Sequence, residues 1–385
     1  MKRIALAFAL LAALASTGCS GPKQSASGSP SSTVSESVTV STPSASSADT
    51  ALPKPLKDVK AGFIYIGQAD DNGFSMSHDV GRQYLEKQLG IETTYKENIP
   101  EGDELQKTID MLISEGCNVI IGCSYGYMDD FELKAAEYPS IYFLHCSGDK
   151  SNGVNFINYF GRIYEARYLS GIAAGLTTKS NKIGYVAAFP LPEVNRGIDA
   201  FALGVQAINP DATVKIAWTN NWSDTNGARE VAIALIGEGC DVIAQHVDST
   251  SPQTAAEEAG IYCVGYHSNS ITVAPNASIA SAVWNWGPYY VAVIQSIMDG
   301  TWTGENYWGG MEEDVVRLEL TDNTPEAALQ PIQAAKTQIL GGWDPFTGPI
   351  FDNEGNVIAA DGVSLTDDEL RSIMWLNSNV IGTVQ

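Results

Sequence analysis

A nine-residue segment occurs twice in this chain and restricts its fold more than any other feature. Residues 112–120 read Leu-Ile-Ser-Glu-Gly-Cys-Asn-Val-Ile, and residues 235–243 read Leu-Ile-Gly-Glu-Gly-Cys-Asp-Val-Ile, an offset of 123 from Glu115 to Glu238. In each copy a helix-like apolar run ends at Glu-Gly and a strand-like run follows. Gly116 and Gly239 stand where a helix C-terminus needs a positive φ. Val119–Ile121 and Val242–Ala244 read as short strands buried on both faces. The repeat extends outward: Ile141-Tyr142-Phe143 returns as Ile261-Tyr262-Cys263, and Gly204 follows Gly81 at the same 123-residue offset. One α/β unit used twice predicts two similar lobes with a site between them.

In chain order, strands are expected at 62–67, 92–95, 118–122 and 141–146, with helices at 75–90, 103–115 and 129–137 between them. Alternation of this kind implies a parallel sheet flanked by helices. Residues 164–179 form a linking helix, rich in small residues. The second unit repeats the order: strands 182–187, 213–218, 241–245 and 261–265, helices 194–207, 226–238 and 252–259. A strand at 279–284 and a helix at 287–299 are expected to return the chain to the first lobe. Another crossing strand at 315–320, a helix at 325–340, a hairpin around Asn353-Glu354-Gly355 and a final helix at 366–377 complete the reading.

The ends of the chain and its charge narrow the function. Met1-Lys2-Arg3 followed by apolar Ile4–Ala15 reads as a signal peptide over 1–18, too short to span a bilayer. Thr17-Gly18-Cys19 resembles a lipoprotein box, with Cys19 as the lipidated residue, although Ser16 stands where such boxes carry Leu; secretion with a free Cys19 is the alternative. Residues 19–58, rich in Ser, Thr, Ala and Pro, read as a disordered tether. The formal charge of −23 argues against a nucleic-acid partner, which needs clustered Lys and Arg. The cysteines beyond Cys19 (Cys117, Cys123, Cys146, Cys240 and Cys263) fit no zinc spacing and read as buried thiols.

Ligand loops in parallel α/β sheets lie at the carboxyl ends of the strands. Those ends carry Asp71–Ser75 with Phe74, then Ser124-Tyr125, Trp222-Ser223-Asp224, His246-Val247-Asp248, His267-Ser268-Asn269 and Trp284-Asn285-Trp286. Rings beside Asp, Asn, Ser and His suit a flat heteroaromatic ligand, whose faces need stacking and whose edge needs hydrogen bonds. Each residue also has a plainer use: the Trp residues as lobe packing, Asp224 and Asp248 as helix caps, His267 as a satisfied structural imidazole. Gly122-Cys123-Ser124-Tyr125-Gly126 fits the G-x-S-x-G of a hydrolase nucleophile elbow, with Asp248 and His267 in triad order. Against that, the repeat pairs this loop with Gln245–Asp248, which has no nucleophile, and no oxyanion segment lies upstream.

Several segments together resemble the basic membrane protein family, the substrate-binding lipoproteins of ABC importers that include purine nucleoside receptors. These are Asp70–Ser77, Pro139–Gly148, Tyr168–Ala174, Trp222-Ser223-Asp224 and Gly265–Ser268, and the similarity runs from about residue 59 to the end. The resemblance implies a two-lobed α/β fold of the type I periplasmic-binding kind, each lobe a parallel sheet flanked by helices, with hinge crossings. Lobe 1 would span 59–165 with return segments near 285–315; lobe 2 would span 180–278 with part of 320–385. It implies a non-enzymatic, extracytoplasmic solute carrier, tethered as a lipoprotein, monomeric, without cofactor or metal, delivering a small molecule to ABC permease subunits. A sensor domain feeding a receptor and a hydrolase using Ser124 remain the alternatives. Nucleoside-binding members grip ribose with acidic and lysine side chains; here Ser147, His267 and Trp284 stand at or near those places, and Ser75 replaces an Asn. A purine base is therefore expected over a nucleoside. Phe74 and Trp222 are expected to stack, Trp284 or Trp286 to complete the enclosure, and Asp248, His267 and Asn285 to read the edge, with Tyr125 and Ser124 beside them.

Overall fold

The computed structural model describes residues 52–384. The signal peptide, Cys19 and most of the expected tether lie outside the described residues. The chain runs β1 (Lys60–Tyr65), α1 (Phe74–Leu89), β2 (Glu92–Lys96), α2 (Asp103–Ser114), β3 (Val119–Cys123), α3 (Met128–Glu137), β4 (Tyr142–Cys146) and β5 (Phe156–Gly161). It continues through α4 (Ile163–Thr177), β6 (Lys182–Ala187), α5 (Pro192–Ile208), β7 (Thr213–Trp218), α6 (Thr225–Gly237), β8 (Val242–His246), α7 (Ser251–Ala259), β9 (Tyr262–His267) and β10 (Ser278–Trp284). Last come α8 (Trp286–Asp299), β11 (Tyr307–Gly309), β12 (Val316–Leu320), α9 (Glu326–Leu340), β13 (Ile350–Phe351), β14 (Val357–Ala359), α10 (Asp367–Arg371) and β15 (Val380–Ile381).

Two large sheets result, ordered β11-β5-β4-β3-β1-β2 and β12-β10-β9-β8-β6-β7-β15, beside a small β13-β14 hairpin. The first is parallel throughout; in the second only β12 runs antiparallel, against β10. Reading β2-β1-β3-β4-β5 against β7-β6-β8-β9-β10 recovers the duplication strand for strand. The repeated segment does the same structural work in both lobes. Gly116 and Gly239 each adopt φ +92. The Cys117 N–H donates to Leu112 O and the Gly116 N–H to Ile113 O; the Cys240 N–H donates to Leu235 O and the Gly239 N–H to Ile236 O. Both helices thus end in a Schellman motif that turns the chain directly into the next strand. Cys117 and Cys240 fall into the outer cores of their own lobes, and all five described cysteines are free and buried.

The two lobes exchange helices. α4 packs on α5, where a Cβ on Gly204 would meet the Tyr168 carbonyl, so the expected linking helix belongs to the second lobe. α8 packs on α1, where a Cβ on Gly81 would lie 2.9 Å from Trp286 Cβ. β10 stays in the second sheet, and the return to the first lobe begins only at Trp286. A joint beside the crossings collects cations around one ring: Arg162, Arg371 and Arg196 lie 4.2, 4.6 and 5.0 Å from the Trp308 centroid. Arg162 also forks onto Asp367 at 2.8 and 2.7 Å.

Three differences from the sequence-based expectations concern the ends and edges. β5, β11 and β15 are additional strands. The final helix stops at Arg371 rather than continuing to 377, because tertiary bonds take the carbonyls beyond it: Asn195 Nδ2 donates to Ile373 O and the Asn353 N–H to Leu376 O. Pro53–Leu56, expected in the tether, lie against the body, with Tyr142 Oη donating to Pro53 O at 3.1 Å and the Leu56 N–H to Ile297 O at 3.3 Å.

Candidate functional site

Strand register builds the site. Tyr65, Cys123, Cys146 and Tyr159 stand level across the first sheet. The next residue on each strand, Ile66, Ser124, Ser147 and Phe160, therefore forms a row at the carboxyl edge, and all four line one cavity. Phe74 and Tyr125 complete the wall from the first lobe. Glu193, Trp222, His246, Asp248, Tyr266 and His267 close it from the second. The unfilled space between these walls is about 390 Å³ counting its mouth. Because that figure includes the open mouth, the enclosed part of the cavity is narrow.

Local chemistry fixes the walls. Asp71 accepts from the backbone N–H groups of Gly73, Ser75 and Met76 at 2.7, 3.1 and 3.0 Å, which starts α1 and sets Phe74 at its first residue. The lobes touch around the cavity: the Ser147 hydroxyl donates to the Glu193 carboxylate, Ser268 Oγ donates to Asn72 O at 2.6 Å, and the Phe74 ring stands 5.3 Å from the His267 ring. Ser147 and His267, equivalent by the offset of Ile141 to Ile261, both adopt left-handed backbone, φ +72 and +67. Arg167, fully buried, sits 3.6 Å above the Tyr266 ring and donates to Gln245 O at 2.8 Å, and Tyr266 Oη meets His246 Nε2 at 3.2 Å.

Burial governs protonation here. It pushes Asp248 up to about 7, and it raises Glu193 against the opposing pull of the Ser147 hydroxyl and Arg196. Burial, with the charge of Arg167 behind it, holds His246 and His267 well below the ordinary imidazole value, so both are neutral. His267 Nε2 lies 3.1 Å from Asp248 Oδ1, yet off the line of a good hydrogen bond, which leaves Nε2 without a partner. The pair is close enough to act together and keeps hydrogen-bonding capacity for a guest.

Of the expected site residues, Phe74, Ser124, Tyr125, Trp222, Asp248 and His267 meet at the cavity. Trp284, Asn285 and Trp286 do not line it. Trp284 stands behind His267, to which its indole donates. Trp286 stacks on His78 at 4.9 Å. Asn285 Nδ2 donates to Asp314 O at 2.7 Å. The crossing from β10 to α8 turns these three away from the strand-end row. Ser124 has extended backbone, φ −165, and its Oγ donates to Glu101 at 3.4 Å rather than to an imidazole. Its carbonyl accepts from His145 Nε2 at 2.7 Å, an arrangement unlike a strained nucleophile turn. Among the described residues no cluster fit to hold a metal occurs.

The family model for ABC transporter substrate-binding proteins of the PnrA-like kind matches residues 58–341. This chain belongs to that family. It is 37% identical to a purine-binding protein of Brucella abortus, over 84% of this chain and 92% of the relative. It is 38% identical to a protein of Haloferax volcanii, provisionally named an ABC transporter glucose-binding protein, over 79% of this chain and 78% of the relative. In fold it is similar to a solute-binding protein of Aeropyrum pernix, with TM-score 0.66 and 17% identity over 81% of this chain and 97% of that one. It is likewise similar to a transcriptional activator of the comK gene from Bacillus halodurans, with TM-score 0.64 and 21% identity over 74% and 99%. As a PnrA-like substrate-binding protein it is a two-lobed α/β carrier of a small solute for an ABC permease, and the family works outside the cytoplasm. No helix among the described residues is long and apolar enough to cross a membrane.

Proposed function

We propose that the solute is a free purine base of the adenine type, carried by a monomer anchored through lipidated Cys19. The observation that carries this reading is the pair Asp248 and His267 at the wall of a narrow aromatic cavity. A purine base without its sugar keeps an N–H donor two bonds from a ring-nitrogen acceptor. Asp248 can take the donor and His267 can serve the acceptor, while Phe74, Phe160 and Trp222 cover the faces. Among the described residues the cavity lining holds the acids Glu193 and Asp248 and no lysine, which favours a base over the acid-and-lysine ribose grip expected of nucleoside receptors. The purine-binding relative in Brucella abortus supports the same class; the Haloferax relative keeps a hexose as the competing solute.

Calorimetry on the unloaded protein with adenine, guanine, hypoxanthine, inosine, guanosine and glucose decides between them. Adenine or another free base is expected to bind tightest. Tight inosine or guanosine with no free base bound, or glucose alone, refutes the proposal. Metabolic labelling with a fatty acid, lost in Cys19→Ala, tests the anchor.

A further inference from the structure

Trp284 ends β10 and takes no part in lining the cavity, yet its indole Nε1 lies 3.1 Å from His267 Nδ1. An indole nitrogen can only donate. Nδ1 must therefore present its lone pair, and the ring hydrogen of the imidazole belongs on Nε2. The opposite tautomer would set two N–H groups head to head. The indole is held in place: it stacks on Trp286 at 4.6 Å and 18° and tilts against Phe160 at 5.0 Å, and Gly161 leaves no room for a Cβ beneath it. Trp286 is fixed in turn on His78, 4.9 Å away and 11° from parallel. At the other end of the imidazole, Nε2 is buried, makes no well-aligned hydrogen bond and lies 3.1 Å from Asp248 Oδ1, with the Val247 backbone beside the ring.

We propose that Trp284 is a positioning residue of the solute site: its indole N–H fixes His267 as the Nε2–H tautomer and so sets a donor beside the Asp248 carboxyl at the cavity wall. The wall then reads a solute edge that carries an acceptor next to a donor, and it disfavours an edge with two donors. The assignment rests on this cavity being the solute site, not on which solute fills it.

The chain has four histidines, His78, His145, His246 and His267, so ring nitrogens of ¹⁵N-histidine-labelled full-length protein are separable by NMR. His267→Gln assigns the fourth ring. The expected result in the wild type is a protonated Nε2 and a bare Nδ1 at His267. Trp284→Phe, which keeps a ring and removes the N–H, is expected to mix the tautomers and weaken adenine binding about tenfold. The same change in a His267→Gln background should add little. A protonated Nδ1 in the wild type overturns the proposal without any variant. It also falls if Trp284→Phe leaves the His267 nitrogens unchanged, or if that variant weakens binding equally in the His267→Gln background, which is the signature of packing alone. Should adenine bind none of these proteins, the purine reading fails, while the ring nitrogens still decide the role of Trp284.

Discussion

Asp248 sits at about 7 because burial penalises its charge, and this has opposite consequences for folding and for binding. The folded carboxyl keeps its proton between pH 3.8 and 7, where the unfolded one has released it. Its contribution to stability is therefore full below pH 3.8 and is lost as pH rises through 7, at up to about 1.4 kcal/mol per pH unit. Glu193 and Glu165 shift in the same direction, so the wild-type curve alone does not isolate Asp248. The difference between Asp248→Asn and wild type in urea unfolding should widen between pH 4 and 7 and then level off; parallel curves contradict it. Solute affinity should run the other way, since a carboxylate is the better acceptor. Calorimetry across pH 6–8 should show tighter adenine binding at higher pH in the wild type and a flat profile in Asp248→Asn. Much of this wall was legible as residues at strand ends. Phe74, Trp222, Asp248 and His267 follow from the position of their loops alone. Ile66, Ser147 and Phe160 need the strand register that aligns them, and Glu193 needs the loop after β6 to be set against the loop after β4. Trp284, Asn285 and Trp286 share the composition of site residues, but the chain reverses there, and composition carries no direction.

Among the elements, the two Schellman turns offer an internal control. A Cβ on Gly116 meets nothing within 4 Å, and one on Gly239 meets only the Lys182 side chain, at 3.7 Å or beyond. Alanine at either position therefore adds backbone strain without a clash. Each substitution should cost about 1–2 kcal/mol, and the two costs should agree to within about 0.5 kcal/mol in denaturant titrations. Unequal costs would mean that the turns are not equivalent. These helix ends were readable because Gly is the usual answer to a positive φ, and the strands after them because they are apolar on both faces. β5 was not readable in the same way. Phe156–Gly161 lacks the helix that normally precedes a parallel strand, and it follows β4 through a loop whose polar residues bond to it: Asn152 Oδ1 accepts from the Phe156 N–H at 3.0 Å. β11 and β15 are three and two residues long. Strands that short are defined by the partner they meet, β5 or β7, and a local sequence window holds no trace of the partner. The final helix failed for a related reason, since Asn195 and Asn353 claim backbone that the apolar spacing had assigned to helix.

At the scale of the molecule, the joint at Trp308 ties the two lobes together away from the cavity. Three guanidinium groups surround that ring, and Arg196 and Arg371 belong to the second lobe while Trp308 belongs to an edge strand of the first. Cation–π contacts of this kind are worth about 0.5–2 kcal/mol each. Trp308→Ala should weaken solute binding about tenfold. It should also raise the radius of gyration of the unloaded protein in small-angle scattering, with saturating solute restoring the compact value. A variant that scatters and binds as the wild type does would show that the joint is passive. The exchange of α4 and α8 has a further consequence, for ancestry. A single copy of the repeated unit ends in a helix that its own sheet has no place for, because the groove beside α1 or α5 takes the helix from the other copy. Two free copies would satisfy each other by trading those helices, which is the arrangement of a domain-swapped homodimer. A head-to-tail fusion of such a pair would have the connectivity of this chain, with the solute cavity between the two units where an axis relating them would pass.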